Sequence, residues 1–255
     1  VRAKAESRST GLLDEISELF PDSFEDSELP DIPTDWKMTC LDELTDFVIG
    51  GDWGKEKISD EFPSEVLCIR GADIPDLQQF GYGKMPTRFL KSSSFSKRSL
   101  KDADIVFEIS GGSPTQSTGR PVLIEKGLLE RCQIPLACSN FCRIIRPQNK
   151  ELSFFIYYFL KDLYGKDEMF MYETGTTGIK NFGYKYFASS RKFLIPDQEL
   201  LSTFSGFIKV IRNSSNNLGT QSGTLRQIRD ALLPKLISGE LRVPDAEKML
   251  EEVGI

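Results

Sequence analysis

A seven-residue repeat of apolar side chains near the C-terminal end constrains the fold of this chain most. The repeat consists of Phe204, Ile211, Leu218, Leu225 and Leu232, and Ile228 occupies the second apolar position of one heptad; we call these six residues the seam. Such spacing predicts a long helix that pairs with another helix. At 1.5 Å per residue, about 36 residues form a rod of ~54 Å, which is too long to bury the seam against one compact domain.

The sequence also marks both ends of the predicted rod. Asp197 follows Pro196 and is a suitable N-cap, whereas Pro234 and Gly239 predict the end of the helix. Two glycines in the middle weaken the helix and leave an alternative open. In that alternative, two shorter helices fold back on the rest of the chain.

The remaining sequence predicts an α+β fold, with one mixed globular domain followed by the long coiled-coil-type helix. Strand-like runs outnumber helical runs and do not alternate regularly with them, which argues against a doubly wound sheet. The predicted strands are 66–70, 105–109, 122–124, 135–145 and 191–195, and the predicted helices in the domain are 41–47 and 153–164. We divide the chain into an acidic lead-in and linker (1–35), the globular domain (36–196), the helical region (197–243) and a tail (244–255).

Charge is distributed unevenly between the two parts of the chain. Residues 1–65 carry 18 Asp and Glu against 6 Lys and Arg, a net charge of −12, whereas residues 66–255 carry 20 against 26, a net charge of +6. Residues 84–101 contain six basic side chains, five serines and no acid. Lys and Arg contact phosphates, and serine hydroxyls add directional hydrogen bonds, so this segment is typical of a nucleic-acid contact. A solvated basic loop is the alternative.

The composition excludes several classes of enzyme. The chain has no His, which excludes Ser-His-Asp and Cys-His nucleophiles and His-based zinc proteases. Its five Cys form no CxxC pair and are expected to be buried thiols, and the glycine loops match neither a Walker loop nor a dinucleotide fingerprint. We therefore expect no catalytic residue, no metal and no cofactor. The longest apolar run, 154–160, is too short to span a bilayer, so the expected location is the cytoplasm.

Two glycine-rich loops, 110–120 and 173–185, carry polar side chains that can read base edges. Gln pairs with adenine and Arg with guanine in the major groove, each through two hydrogen bonds. The alternative is that both loops are tight turns whose polar groups satisfy only local backbone. Together with the basic segment, the candidate DNA contacts are Lys91, Lys97, Arg98, Ser113, Thr115, Gln116, Arg120, Thr176, Lys180 and Asn181.

Five stretches of this sequence resemble a known family, the specificity subunit of type I restriction-modification systems. The most specific is LRQIRDALLPKLISGELRV at 225–243, which resembles the distal conserved region of that subunit. The others are IPTDWKMTCLDEL at 32–44, VLCIRGADI at 66–74, LKDADIVFEISGGSPTQSTGR at 100–120 and GTTGIKNFGYKYFASSRKFLIPDQ at 175–198. The resemblance covers nearly the whole chain in the family's order.

The resemblance implies a division of labour. Full specificity subunits carry two target-recognition domains and two helical regions, so this chain, with one of each, is expected to correspond to the second half. The recognition domains read the two half-sites of a split DNA target, and the helices set their spacing and bind the modification subunits. Those subunits methylate adenine with S-adenosylmethionine, and a restriction subunit adds ATP-driven translocation and cleavage. The specificity subunit itself is non-catalytic.

The resulting hypothesis is a non-catalytic reader of double-stranded DNA that works with modification and restriction subunits. Since the partner helix of the other half is missing, two copies could pair their seams and read an inverted repeat. A second hypothesis is a protein-interaction adaptor that does not bind DNA and acts through the rod. A third is an enzyme such as a nuclease.

Overall fold

The computed structural model describes residues 1–25, 32–111, 115–175, 178–241 and 248. Helices are α1 (Arg2–Ala5), α2 (Asp14–Glu18), α3 (Ile74–Gln78), α4 (Ser92–Arg98), α5 (Lys126–Arg131), α6 (Lys150–Gly165), α7 (Tyr184–Ser190) and α8 (Gln198–Ile237). Strands are β1 (Lys37–Cys40), β2 (Thr45–Gly50), β3 (Ser64–Ile69), β4 (Thr87–Leu90), β5 (Ile105–Glu108), β6 (Ser110–Gly111), β7 (Pro121–Leu123), β8 (Leu136–Cys138), β9 (Cys142–Pro147), β10 (Glu173–Thr174), β11 (Lys180–Phe182) and β12 (Lys192–Ile195). The predicted α+β class is confirmed.

An antiparallel four-stranded sheet, in the order β2-β9-β5-β7, forms the centre of the domain. Both of its faces are covered, because successive side chains of a strand point to opposite faces. In β5, Ile105 and Phe107 join a core with Tyr157 of α6 and Phe187 of α7. Val106, between them, joins a second core beneath α3 and α5. The sheet is therefore a rigid support with loops at its ends.

Two predicted elements differ from the structure. The predicted helix 41–47 is a 3₁₀ turn (Leu41–Leu44) that runs directly into β2, since Thr45, Phe47 and Val48 favour extended backbone. The predicted strand 135–145 is two strands, β8 and β9, because the chain turns at 139–141 and crosses between sheets. β8 pairs in parallel with β3, whereas β9 pairs with β2 and β5.

The C-terminal rod is one continuous helix, α8, and its N-cap is Asp197 as predicted, with the carboxylate accepting from the backbone N–H of Leu200. The prediction that Pro234 ends the helix is wrong, because α8 continues to Ile237. A proline removes one hydrogen bond from a helix, but here the freed carbonyl lies on an exposed turn where water can satisfy it. Gly239, with a φ of +75°, follows the end of the helix.

Three of the six seam residues are exposed along this helix, and Phe204, Ile228 and Leu232 are half-buried. Ile211, Leu218 and Leu225 are 44%, 64% and 59% exposed, whereas the Phe204 ring packs against two aromatic rings of α6. In the first half of α8, a different stripe of the helix packs on the globular domain. The buried members of that stripe are Leu201, Ser205, Arg212 and Asn216. The seam itself remains available to a partner.

An ion pair attaches α8 to the globular domain, and two glycines allow the helix to approach it closely. The guanidinium of Arg212 donates two hydrogen bonds to the Glu125 carboxylate, at 2.8 and 2.7 Å, and lies over the Phe80 ring. A Cβ at Gly219 would lie 2.6 Å from the Phe80 carbonyl oxygen, and one at Gly223 would lie 2.6 Å from the Tyr82 ring. The glycines that weaken the helix in isolation therefore permit its close approach to the domain. No helix among the described residues combines the length and apolar content that crossing a bilayer requires.

Candidate nucleic-acid interface

A small sheet brings the two polar loops together. β11 pairs with β6 on one side and with β10 on the other, and the register places Asn181 opposite Ser110 and Lys180 opposite Gly111. The Ser110 hydroxyl also donates to the Asn181 side-chain oxygen at 2.8 Å. Loops that are about 70 positions apart in sequence therefore lie side by side. Two predicted contact residues, Ser113 and Thr176, lie outside the described residues.

Glu173 connects the two loops through its carboxylate. It accepts hydrogen bonds from the backbone N–H and the hydroxyl of Thr118, at 2.6 and 3.0 Å, and pairs with the Lys180 ammonium at 3.1 Å. The same ammonium lies 4.8 Å from the centroid of the Phe170 ring. Lys180, a predicted DNA contact, is therefore largely covered and fixes the shape of the loops.

Arg120 lies at the base of the first loop rather than at its tip. Its guanidinium donates two 2.7 Å hydrogen bonds to the Glu108 carboxylate, and the two side chains are 17% and 3% exposed. These hydrogen bonds raise the pKa of Arg120, so the guanidinium stays charged. A Cβ at Gly71 would collide with the Glu108 carboxylate, so glycine there leaves room for the pair.

The basic segment 84–101 forms β4 and α4, and its basic side chains have different surroundings. Lys97 is exposed on α4. The Lys91 ammonium pairs with Glu61 and lies 5.2 Å from the centroid of the Phe62 ring. Arg98 donates to the carbonyl of Gly50 at 2.9 Å and to the Ser94 hydroxyl at 3.1 Å. Arg98 thereby attaches α4 to the end of β2, where the loop that carries Trp53 begins.

A cleft of about 620 Å³ separates that loop from the two polar loops. Gln116 and Arg120 line it, and Thr115 and Asn181 are exposed nearby in the same loops. The other lining residues are Trp53, Arg70, Gly71, Ala72, Glu108, Ser110, Gly111, Ser117, Thr118, Ser139, Asn140, Phe141 and Ile179. Most of these were not predicted, because Trp53, Asn140 and Phe141 lie in short turns without a periodic signal. Within the described ranges, no three His, Cys, Asp or Glu side chains cluster as metal ligands.

Solved structures of similar architecture identify the fold. The chain superimposes on the crystal structure of a type I restriction-modification system S subunit from M. genitalium with a TM-score of 0.50 and 17% identity, over 83% of this chain and 48% of that one. The chain has the fold of a type I S subunit. A second similar structure is the HsdS subunit from Thermoanaerobacter tengcongensis, with a TM-score of 0.42 and 16% identity over 89% of this chain and 49% of that one.

The S-subunit fold confirms, at the level of architecture, the resemblance seen in the sequence motifs. The chain spans about half the length of the S subunits that it matches. No family model matches the chain, and a search of curated proteins gives no match in sequence.

Proposed function

We propose that this chain reads one half-site of a duplex DNA target, as the specificity component of a type I restriction-modification enzyme. The observation that carries the proposal is the pairing of β6 with β11, which sets the two polar loops side by side beside one cleft in an S-subunit fold. Polar side chains on adjacent rigid loops suit the reading of base edges. Residues 36–196 form the recognition domain in this proposal, and the pairing of Lys37 with Ile195 at its two ends supports those limits.

The predicted contact residues divide into two groups in this proposal. Thr115, Gln116 and Asn181 are exposed in the loops and Lys97 is exposed on α4, so these four contact DNA directly. Ser113 and Thr176 are also assigned to this group, on the basis of their positions in the sequence alone. The other four predicted residues, Lys91, Arg98, Arg120 and Lys180, engage acidic or carbonyl groups of the chain and hold the loops and α4 in place.

The chemistry in this proposal belongs to partner subunits, and this chain is non-catalytic. A modification subunit methylates the DNA and a restriction subunit cleaves it, while residues 197–243 set the distance between half-sites. The exposed seam supports pairing with a second helix, which we propose is the seam of another copy. The same exposed seam also favours the adaptor hypothesis, which differs by predicting little dependence of binding on Arg120 or Lys97 and no steep loss of affinity with salt.

The first prediction concerns the charge on α4. We expect Lys97→Glu to weaken duplex binding about tenfold. We also expect affinity to fall less steeply with salt, with the slope of log affinity against log salt reduced in magnitude by about 1, because each phosphate contact releases a counterion. Lys161→Glu, on an exposed position of α6 that does not line the cleft, is the matched control and keeps the original affinity. Gel-shift titration at several salt concentrations measures both quantities. Equal affinity of the two variants would favour the adaptor hypothesis.

The second prediction concerns the seam. The chain is expected to be a dimer at micromolar concentration, and Leu218→Lys with Leu225→Lys is expected to halve its mass in light scattering. The reason is that a buried ammonium in the helix pair has no counter-charge. Val210→Lys with Leu233→Lys changes two exposed apolar residues of α8 outside the seam and is expected to leave the dimer intact. A monomeric unmodified chain would contradict seam pairing.

A further inference from the structure

We propose that the cleft receives a single nucleobase that has turned out of the DNA stack. The inference rests on the proposed function and adds a binding site for one base to the loops that read base edges. Its basis is the combination of an aromatic wall, compensated charge and fixed loops in a cavity of about 620 Å³. Sites for small ligands span roughly 300–1,000 Å³, so a purine or pyrimidine with part of its sugar fits this volume.

Part of the cleft wall consists of exposed apolar side chains. Phe141 and Ile179 are 47% and 56% exposed although both line the cleft, and exposed large apolar side chains that converge on one cavity are unusual. The indole of Trp53 forms a further wall. The Arg88 guanidinium stacks on it, with its carbon 3.8 Å from the ring centroid, and is itself held by Glu56 at 3.1 Å. Each of the four nucleobases has two apolar faces that stack on such rings.

The charges around the cleft favour a neutral ligand over an anion or a cation. Arg120 is paired with Glu108 at 2.7 Å, and Arg70 is paired with Asp73 at 3.0 Å. Each guanidinium therefore already faces a carboxylate, and a phosphate or a metal ion would have to compete with these pairs. A nucleobase is neutral and carries donors and acceptors on its edge. The amide of Asn140, an exposed residue of the lining, can pair with that edge.

Backbone contacts fix the segments that carry Trp53 and Phe141 before any ligand binds. The backbone N–H of Asp52 donates to the carbonyl of Cys138 at 2.9 Å, and that of Ile109 donates to the carbonyl of Phe141 at 2.8 Å. A Cβ at Gly51 would collide with the Ser139 carbonyl, so glycine is required for this approach. The loop of Trp53 and the loop of Phe141 are thus held against each other, and a base would enter without the cost of ordering them.

Trp53 provides an intrinsic probe for the test. The chain has two tryptophans, so a Trp36→Phe variant reports on Trp53 alone. We titrate it with a fully paired duplex, with the same duplex carrying one unpaired bulged base, and with free nucleoside monophosphates. The proposal predicts saturable quenching of Trp53 by the bulged duplex, at least tenfold tighter than by free nucleotides. Phe141→Ala is expected to lower affinity for the bulged duplex about tenfold, and Tyr186→Ala, at an exposed aromatic outside the cleft, is expected to leave it unchanged.

The outcomes separate this inference from the proposed function. If gel shifts show binding of both duplexes while Trp53 fluorescence stays constant, the cleft inference is overturned and the DNA reader stands. If no duplex shifts at all, both fail. If free nucleotides quench Trp53 with the same affinity as the bulged duplex, the cleft is a site for free nucleotides. That result would overturn the proposal that it receives a base of the DNA. Thermal unfolding of Phe141→Ala checks that the variant is folded.

Discussion

Arg212→Met is expected to lower the free energy of unfolding by about 3–5 kcal/mol, because it leaves a carboxylate without its counter-charge in the interior. The side chains of Arg212 and Glu125 are 5% and 14% exposed. Burial opposes the charge on Arg212, but the hydrogen bonds and attraction from Glu125 outweigh burial and raise the pKa of the guanidinium. Asn216 also donates to Glu125, at 3.2 Å, and cannot replace the lost charge. Urea unfolding followed by circular dichroism measures the change.

Two further variants control this prediction. Arg229→Met removes an exposed arginine of the same helix, which pairs with Asp230, and is expected to cost less than about 1 kcal/mol. Arg212→Met combined with Glu125→Gln removes both charges, and we expect it to recover a large part of the lost stability. If Arg212→Met and Arg229→Met had equal effects, the docking of α8 on the domain would be wrong.

The second large effect is expected at the base of the first polar loop. Arg120→Met leaves Glu108 buried without a counter-charge and is expected to cost about 3–5 kcal/mol of unfolding free energy. Duplex binding is expected to fall with stability, since Arg120 supports the loop that carries Gln116. Urea unfolding and gel shifts on the same preparations measure the two effects.

A double variant separates support of the loop from direct reading of a base. Arg120→Met with Glu108→Met removes both charges, and we expect much of the stability and of the duplex binding to return. A double variant that is stable but binds every DNA sequence equally has lost discrimination without losing the fold. That result would mean that Arg120 reads a base directly, as arginine does when it pairs with guanine. Gln116→Ala, which keeps both Arg120 and Glu108, serves as the comparison for a loss of base reading.

The sequence was sufficient for elements whose pattern is local. β5 is a run of Ile, Val and Phe that ends at Glu108, and α6 is an apolar helix, so both elements follow from composition and periodicity. The face of α8 that packs on the domain could not be predicted in this way. It includes Arg212 and Asn216, which are polar. Both are buried because they donate hydrogen bonds to Glu125, a residue 87 and 91 positions away in the chain, so no local pattern marks them.

The candidate site likewise contains residues that a local sequence pattern predicts and residues that it does not. The polar and glycine-rich composition of 110–120 and 173–185 was visible in the sequence, and the structure brings these loops together. The acids that hold them, Glu108 and Glu173, had no local signature. Neither did Trp53 or Phe141, which line the cleft only because two turns far apart in the sequence lie together in the fold.

Selection from a randomised duplex library tests the central claim most directly. The full chain, with a type I modification subunit from the same organism, is incubated with the library, and the bound DNA is recovered and sequenced over several rounds. The account predicts enrichment of one short recurring sequence, which Gln116→Ala changes and Lys161→Glu does not. A bound pool with the same composition as the starting library would contradict it.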